Sequence, residues 1–169
     1  MKPTSFPYLL CLLFSLSLSL EGRGQENFRR QAVFVELLGS GVFGSVNYDF
    51  RFKPGNDGLG LRAGIGAIPS AIVFPLGING LVGKKRLAFE YGAGITAALI
   101  TGPITEDLTF NNRLENFGMI AFANAGIRFT PTDNGLLFKL NWNPMFNSEG
   151  PILGWFGLGV GYSWKKELE

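Results

Sequence analysis

The chain has 169 residues, room for one domain and too few for two full ones. Apolar residues make up 46% and charged residues 17%, which disfavours intrinsic disorder. A formal charge of +2, with no basic run, excludes a nucleic-acid partner.

In chain order, the N-terminus reads as a signal peptide over residues 1–24. Lys2 supplies a short positive region, and Tyr8 to Leu20 form an apolar stretch. That stretch is shorter than the roughly twenty residues a bilayer-spanning helix needs. Gly22 and Gly24 suit positions −3 and −1 of a cut before Gln25; a cut after Ser19 competes. Cys11, the only cysteine, lies inside this segment behind Leu10, which does not suit lipid attachment. The mature domain, residues 25–169, would therefore hold no disulfide framework and no cysteine metal site.

Beyond residue 30 the pattern is period-two alternation, the signature of a strand whose faces meet different surroundings. Over 42–52, Val42, Gly44, Val46, Tyr48, Phe50 and Phe52 form one face, and Phe43, Ser45, Asn47, Asp49 and Arg51 the other. The alternation recurs over 59–67, 87–99, 136–146 and 152–164, and more weakly over 31–38, 72–82 and 117–129. About eight strands result. The run Lys53-Pro54-Gly55-Asn56-Asp57-Gly58, the hairpin Gly83-Lys84-Lys85-Arg86 and the run Pro131-Thr132-Asp133-Asn134-Gly135 are short turns. The connection Thr101 to Asn116 is the longest and most polar. Short turns at one end and a long loop at the other match a bacterial membrane barrel.

The polar faces carry mostly glycine, asparagine and serine, with a few charges of both signs: Glu36, Asp49, Arg51, Arg62, Glu90, Arg128 and Lys139. Such faces make a poor solvent surface and a good narrow lumen, where glycine leaves room for long side chains. Closing the hairpins sets Asp49 opposite Arg62, Asn79 opposite Glu90 and Asn124 opposite Asn141. On the apolar face, Phe52, Phe89, Phe129, Phe138 and Trp164 all fall near one end of their strands, as an interfacial aromatic girdle requires.

Gly159, Tyr162 and Trp164 in the last strand have the Gly-x-x-aromatic-x-aromatic spacing. This resembles the insertion signal of outer-membrane barrels, although Gly157 replaces the usual polar residue and Lys165 to Glu169 follow the final aromatic. The whole mature chain resembles the small eight-stranded outer-membrane barrels, the broad class of OmpX-like and OmpA-barrel-like proteins. The resemblance implies an all-β, antiparallel up-and-down transmembrane barrel in the bacterial outer membrane. Its implied partners are membrane lipid and the outer-membrane insertion machinery.

The run Gly39-Ser40-Gly41-Val42-Phe43-Gly44 spells G-x-G-x-x-G, but strand alternation continues where a dinucleotide site needs a helix, so no nucleotide is expected. With no histidine there is no Ser-His-Asp triad, no Cys-His pair and no histidine metal site. Glu106 and Asp107 are read as solvating the long loop or holding a divalent ion loosely. No cofactor and no enzymatic activity are expected. The expected role is structural or surface-interacting, with a plugged polar lumen. The alternative is a secreted, soluble, lipocalin-like barrel, which needs the apolar faces turned inward.

Overall fold

A computed structural model describes residues 29–53, 58–83, 86–101, 111–114, 117–130, 135–148 and 150–164. The signal segment, the centres of the three short turns and most of the long connection lie outside the described residues.

Among the described residues eleven strands occur in chain order: β1 Gln31–Leu38, β2 Gly44–Arg51, β3 Gly58–Ile68, β4 Ala71–Val82, β5 Leu87–Ile100, β6 Asn111–Leu114, β7 Phe117–Phe129, β8 Leu136–Trp142, β9 Met145–Asn147, β10 Gly150–Ile152 and β11 Phe156–Trp164. Eight of them close a ring of antiparallel pairs, β1–β2–β3–β4–β5–β7–β8–β11 and back to β1. Closure leaves no unpaired edge in the wall. Short β6 and β9 pair with β7, and β10 pairs with β9, so these three extend the wall at one end.

That end, called upper here, carries the connections after β1, β3, β5 and β8. The lower end carries the turns after β2, β4 and β7, together with Gln31 and Trp164, which pair with each other. The second, fourth and sixth connections thus share one end, as the turn chemistry implied.

Three details depart from the sequence reading. First, β2 begins at Gly44, not Val42: Val42 is buried at 1% exposure while Phe43 is 49% exposed, the reverse of the alternation. Val42 lies in a tight turn with φ 68°, so strand parity does not apply to it. Second, the 136–146 and 152–164 strands are interrupted. Asn143 and Pro144 separate β8 from β9, and residues 153–155 separate β10 from β11. Third, two hairpins are slipped by two residues. Leu81, not Asn79, pairs with Glu90, and Gly126, not Asn124, pairs with Asn141. A slip of two keeps every side chain on its face, which is why the facing pattern survives. The Asp49–Arg62 register is as expected.

Candidate functional site

The faces sort without exception among the seven charged positions. Glu36, Asp49, Arg51, Arg62, Glu90, Arg128 and Lys139 are all buried inside the ring. The outward rows, such as Val33–Val35–Leu37 on β1 and Leu158–Val160–Tyr162 on β11, are all exposed.

Inside, the charges form three linked groups. Asp49 Oδ2 accepts from Arg51 Nη2 at 2.7 Å and from Arg128 Nη1, and Asn79 Nδ2 adds a bond at 3.3 Å. Arg128 Nη1 also lies 3.8 Å from Glu90 Oε2, whose other oxygen accepts from Lys139 Nζ at 2.5 Å. Glu36 takes Arg62 Nη2, and Arg62 Nε donates to Asn47 Oδ1 at 3.1 Å. The Phe34 ring sits between the second and third groups, 4.9 Å from Arg62 Cζ and 4.5 Å from Lys139 Nζ. Each cation there faces a ring as well as a carboxylate, an arrangement that offsets part of the cost of leaving water.

The sequence named all seven residues but not all their partners. Asp49 stands beside Arg62 along the wall, yet Arg62 reaches to Glu36, and Asp49 to Arg128 across the lumen. Glu90 finds Lys139 rather than Asn79. Hairpin arithmetic reports neighbours along the wall and not partners across the interior.

A second interior region is apolar and carries no charge pattern in the sequence. Val42, Ile68, Ala71, Val73, Ala98, Ile120, Phe122 and Met145 form a buried apolar cluster at the upper end, with Ile100, Ile152 and Trp155 packed against it. Its signal is the loss of alternation in the upper halves of strands, as in Ala97-Ala98-Leu99-Ile100, where both faces turn apolar. The lumen is therefore ionic in its middle and lower part, where Ala32, Phe34 and Leu137 also pack, and apolar above.

Phe52, Phe89, Phe129 and Phe138 are exposed at the lower end, and Trp164 is half-buried beside Tyr48, with ring centroids 6.4 Å apart. A second outward aromatic set, Phe43, Phe74, Phe117, Phe146 and Phe156, lies toward the upper end and was not singled out from the sequence. In β11, Gly159 faces inward against Lys139, while Tyr162 is exposed. The G-x-G-x-x-G run is a single 3-10 turn, Gly39–Gly41, leading into β2, so a strand and not an α-helix starts at its third glycine, Gly44. Among the described residues no cluster of His, Cys, Asp and Glu has the makings of a metal site, and no helix is long and apolar enough to cross a membrane.

No protein-family model matches the chain, and no curated protein matches it. Among solved structures it is similar to the crystal structure of the N-terminal β-barrel domain of Pseudomonas aeruginosa OprF, with 17% sequence identity and a TM-score of 0.50. The similarity covers 79% of this chain and 95% of that one. At this identity the likeness speaks to fold alone: with that domain the chain shares an antiparallel β-barrel fold, here a closed ring of eight strands.

Proposed function

We propose that the chain is an integral outer-membrane β-barrel with a structural or surface-interacting role, and that its lumen is closed to ions. The observation that carries this reading is the inversion of faces: large apolar side chains cover the outer wall, while four cations and three carboxylates are buried in the middle. Water on the outside would leave that apolar wall solvated, against the hydrophobic term; hydrocarbon on the outside removes the penalty. The same inversion argues against the soluble, ligand-binding alternative, whose apolar faces would have to line the interior.

Eight strands leave an interior that side chains can fill. Here the ionic belt and the apolar cluster above it occupy that interior, which supports a closed lumen. The barrel would insert from the periplasm through the outer-membrane assembly machinery, with β11 supplying Gly159, Tyr162 and Trp164 to that step. The exposed aromatics at the two ends would mark the two membrane interfaces. The long connection between β5 and β7 would face outward, and no catalytic role is assigned to any residue.

Fractionation with gel mobility tests the reading. The protein is expected in the outer-membrane fraction, with a folded band that shifts on boiling. Recovery as a soluble periplasmic protein would overturn it. In a planar bilayer the purified protein is expected to give no steady conductance, and a large steady conductance would refute the closed lumen.

A further inference from the structure

The glycine-rich run between β1 and β2 contributes only Val42 to the reading above, yet its geometry is unusual. Surface connections are normally solvated, but Gly39, Ser40, Gly41 and Val42 are all buried. The turn folds inward over the upper mouth of the barrel. Ser40 donates to Glu36 Oε2 from both Oγ, at 3.2 Å, and its backbone N–H, at 3.3 Å. Thr96 Oγ1 donates to Ser40 O at 2.6 Å, and Trp155 Nε1 donates to Gly39 O at 2.9 Å. Val42 is packed into the apolar cluster.

The backbone is strained at both ends of the turn. Leu38 has φ 58° and ψ −140°, and Val42 has φ 68° and ψ −86°. Neither region suits a residue with a Cβ, and a β-branched one least of all. These conformations persist because surrounding contacts hold them, and those contacts are specific: two outside donors, Trp155 Nε1 and Thr96 Oγ1, one outside acceptor, the Glu36 carboxylate, and the packed Val42 side chain.

We propose that the Leu38–Phe43 turn is a releasable lid on the upper mouth of the lumen, held shut by Trp155, Thr96 and Glu36 against its own backbone strain. Because Glu36 also holds Arg62, release of the lid admits outside water to that ion pair. The inference rests on the closed-barrel reading, but its test does not depend on where the protein resides.

The test is thiol accessibility of Ser40→Cys in a Cys11→Ser background, with the barrel folded in detergent micelles and a water-soluble maleimide as probe. The reference is Ser148→Cys, at an exposed position. Ser40→Cys is expected to react at least about tenfold more slowly than the reference, but measurably. Trp155→Phe and Thr96→Val should each raise its rate about fivefold, as the loss of one net hydrogen bond implies. Leu38→Gly removes strain that opposes the closed state and should lower the rate by a similar factor. Reaction as fast as the reference in the parent would show that the turn is not tucked in. No change in rate across the variants, with the folded gel band retained, would show a static stopper; either result overturns the lid. Amide exchange at Ser40 and Val42 in the unsubstituted protein gives an independent readout: exchange faster than in the β4–β5 wall is expected, and equal protection would overturn the proposal. A protein that fails to fractionate with membranes would sink the membrane reading and leave these rates unaffected.

Discussion

Lys139 and Glu90 show what a single residue contributes to this interior. Both are buried, and each is the other's nearest opposite charge. Breaking a buried pair from one side leaves an uncompensated charge, which typically costs about 3–5 kcal/mol. Lys139→Met is expected near the lower figure, because Arg128 remains 3.8 Å from Glu90. Adding Glu90→Gln should recover part of the loss, with a coupling of about 1–3 kcal/mol. Urea titration of the folded gel band measures Lys139→Met, Glu90→Gln and the double variant, and strict additivity would show that the pair is not a unit. The glycines make a second residue-scale case. A Cβ at Gly161 would lie 2.2 Å from Val33 O and 2.5 Å from Phe34 Cα, both backbone atoms, whereas at Gly159 it would meet the flexible Lys139 Cγ at 2.4 Å. At Gly154 it would meet nothing within 4 Å. Alanine at 161 should therefore cost about 1–3 kcal/mol, alanine at 159 less, and alanine at 154 close to nothing, by the same titration.

At the scale of the strand, the alternation that revealed the fold also makes a quantitative claim about depth. Ile95 pairs with Leu76 and Ala121 midway along β5, and Leu87 sits at its lower end. Arginine on a lipid-facing strand costs about 2–4 kcal/mol at the midplane and about 0–1 near the interface. Ile95→Arg should thus destabilise or block insertion, while Leu87→Arg should be nearly silent; equal costs, measured by refolding into lipid vesicles, would contradict a lipid-facing wall. The same alternation explains what could be read from the chain. Facing was legible wherever a strand is polar on one side, as the inward seven charges and the outward Phe52, Phe89, Phe129 and Phe138 show. It failed at Val42 and Phe43, because a left-handed turn resets parity and no local residue announces it. It also failed for the upper cluster, where Val73, Ala98 and Ile120 are as apolar as their outward neighbours and alternation carries no contrast. Registers slipped by two at Glu90 and Asn141 because a slip of two changes no facing, so nothing in the pattern opposed it.

For the whole molecule, the proposed closed lumen would rest on two barriers of different physics in series. The upper one is apolar, built around Phe122, Met145 and the in-turned Val42, and opposes an ion through loss of hydration. The lower one is ionic, and an ion meets partners already paired with one another, Asp49 with Arg51 and Arg128, and Glu90 with Lys139. Barriers in series are governed by the one that remains, so thinning either alone should leave the barrel closed. Phe122→Ala is therefore expected to show no steady conductance in a planar bilayer, although it removes the largest side chain of the upper cluster. Removing Lys139 and Glu90 together, with Phe122 intact, should be equally silent. Phe122→Ala with Glu90→Gln and Lys139→Met thins both barriers at once, and it is the combination in which ions are expected to pass, beside the intact Asp49 group. Steady conductance from Phe122→Ala alone would mean that the buried ion pairs do not block the lumen, and that the apolar cluster is its sole seal.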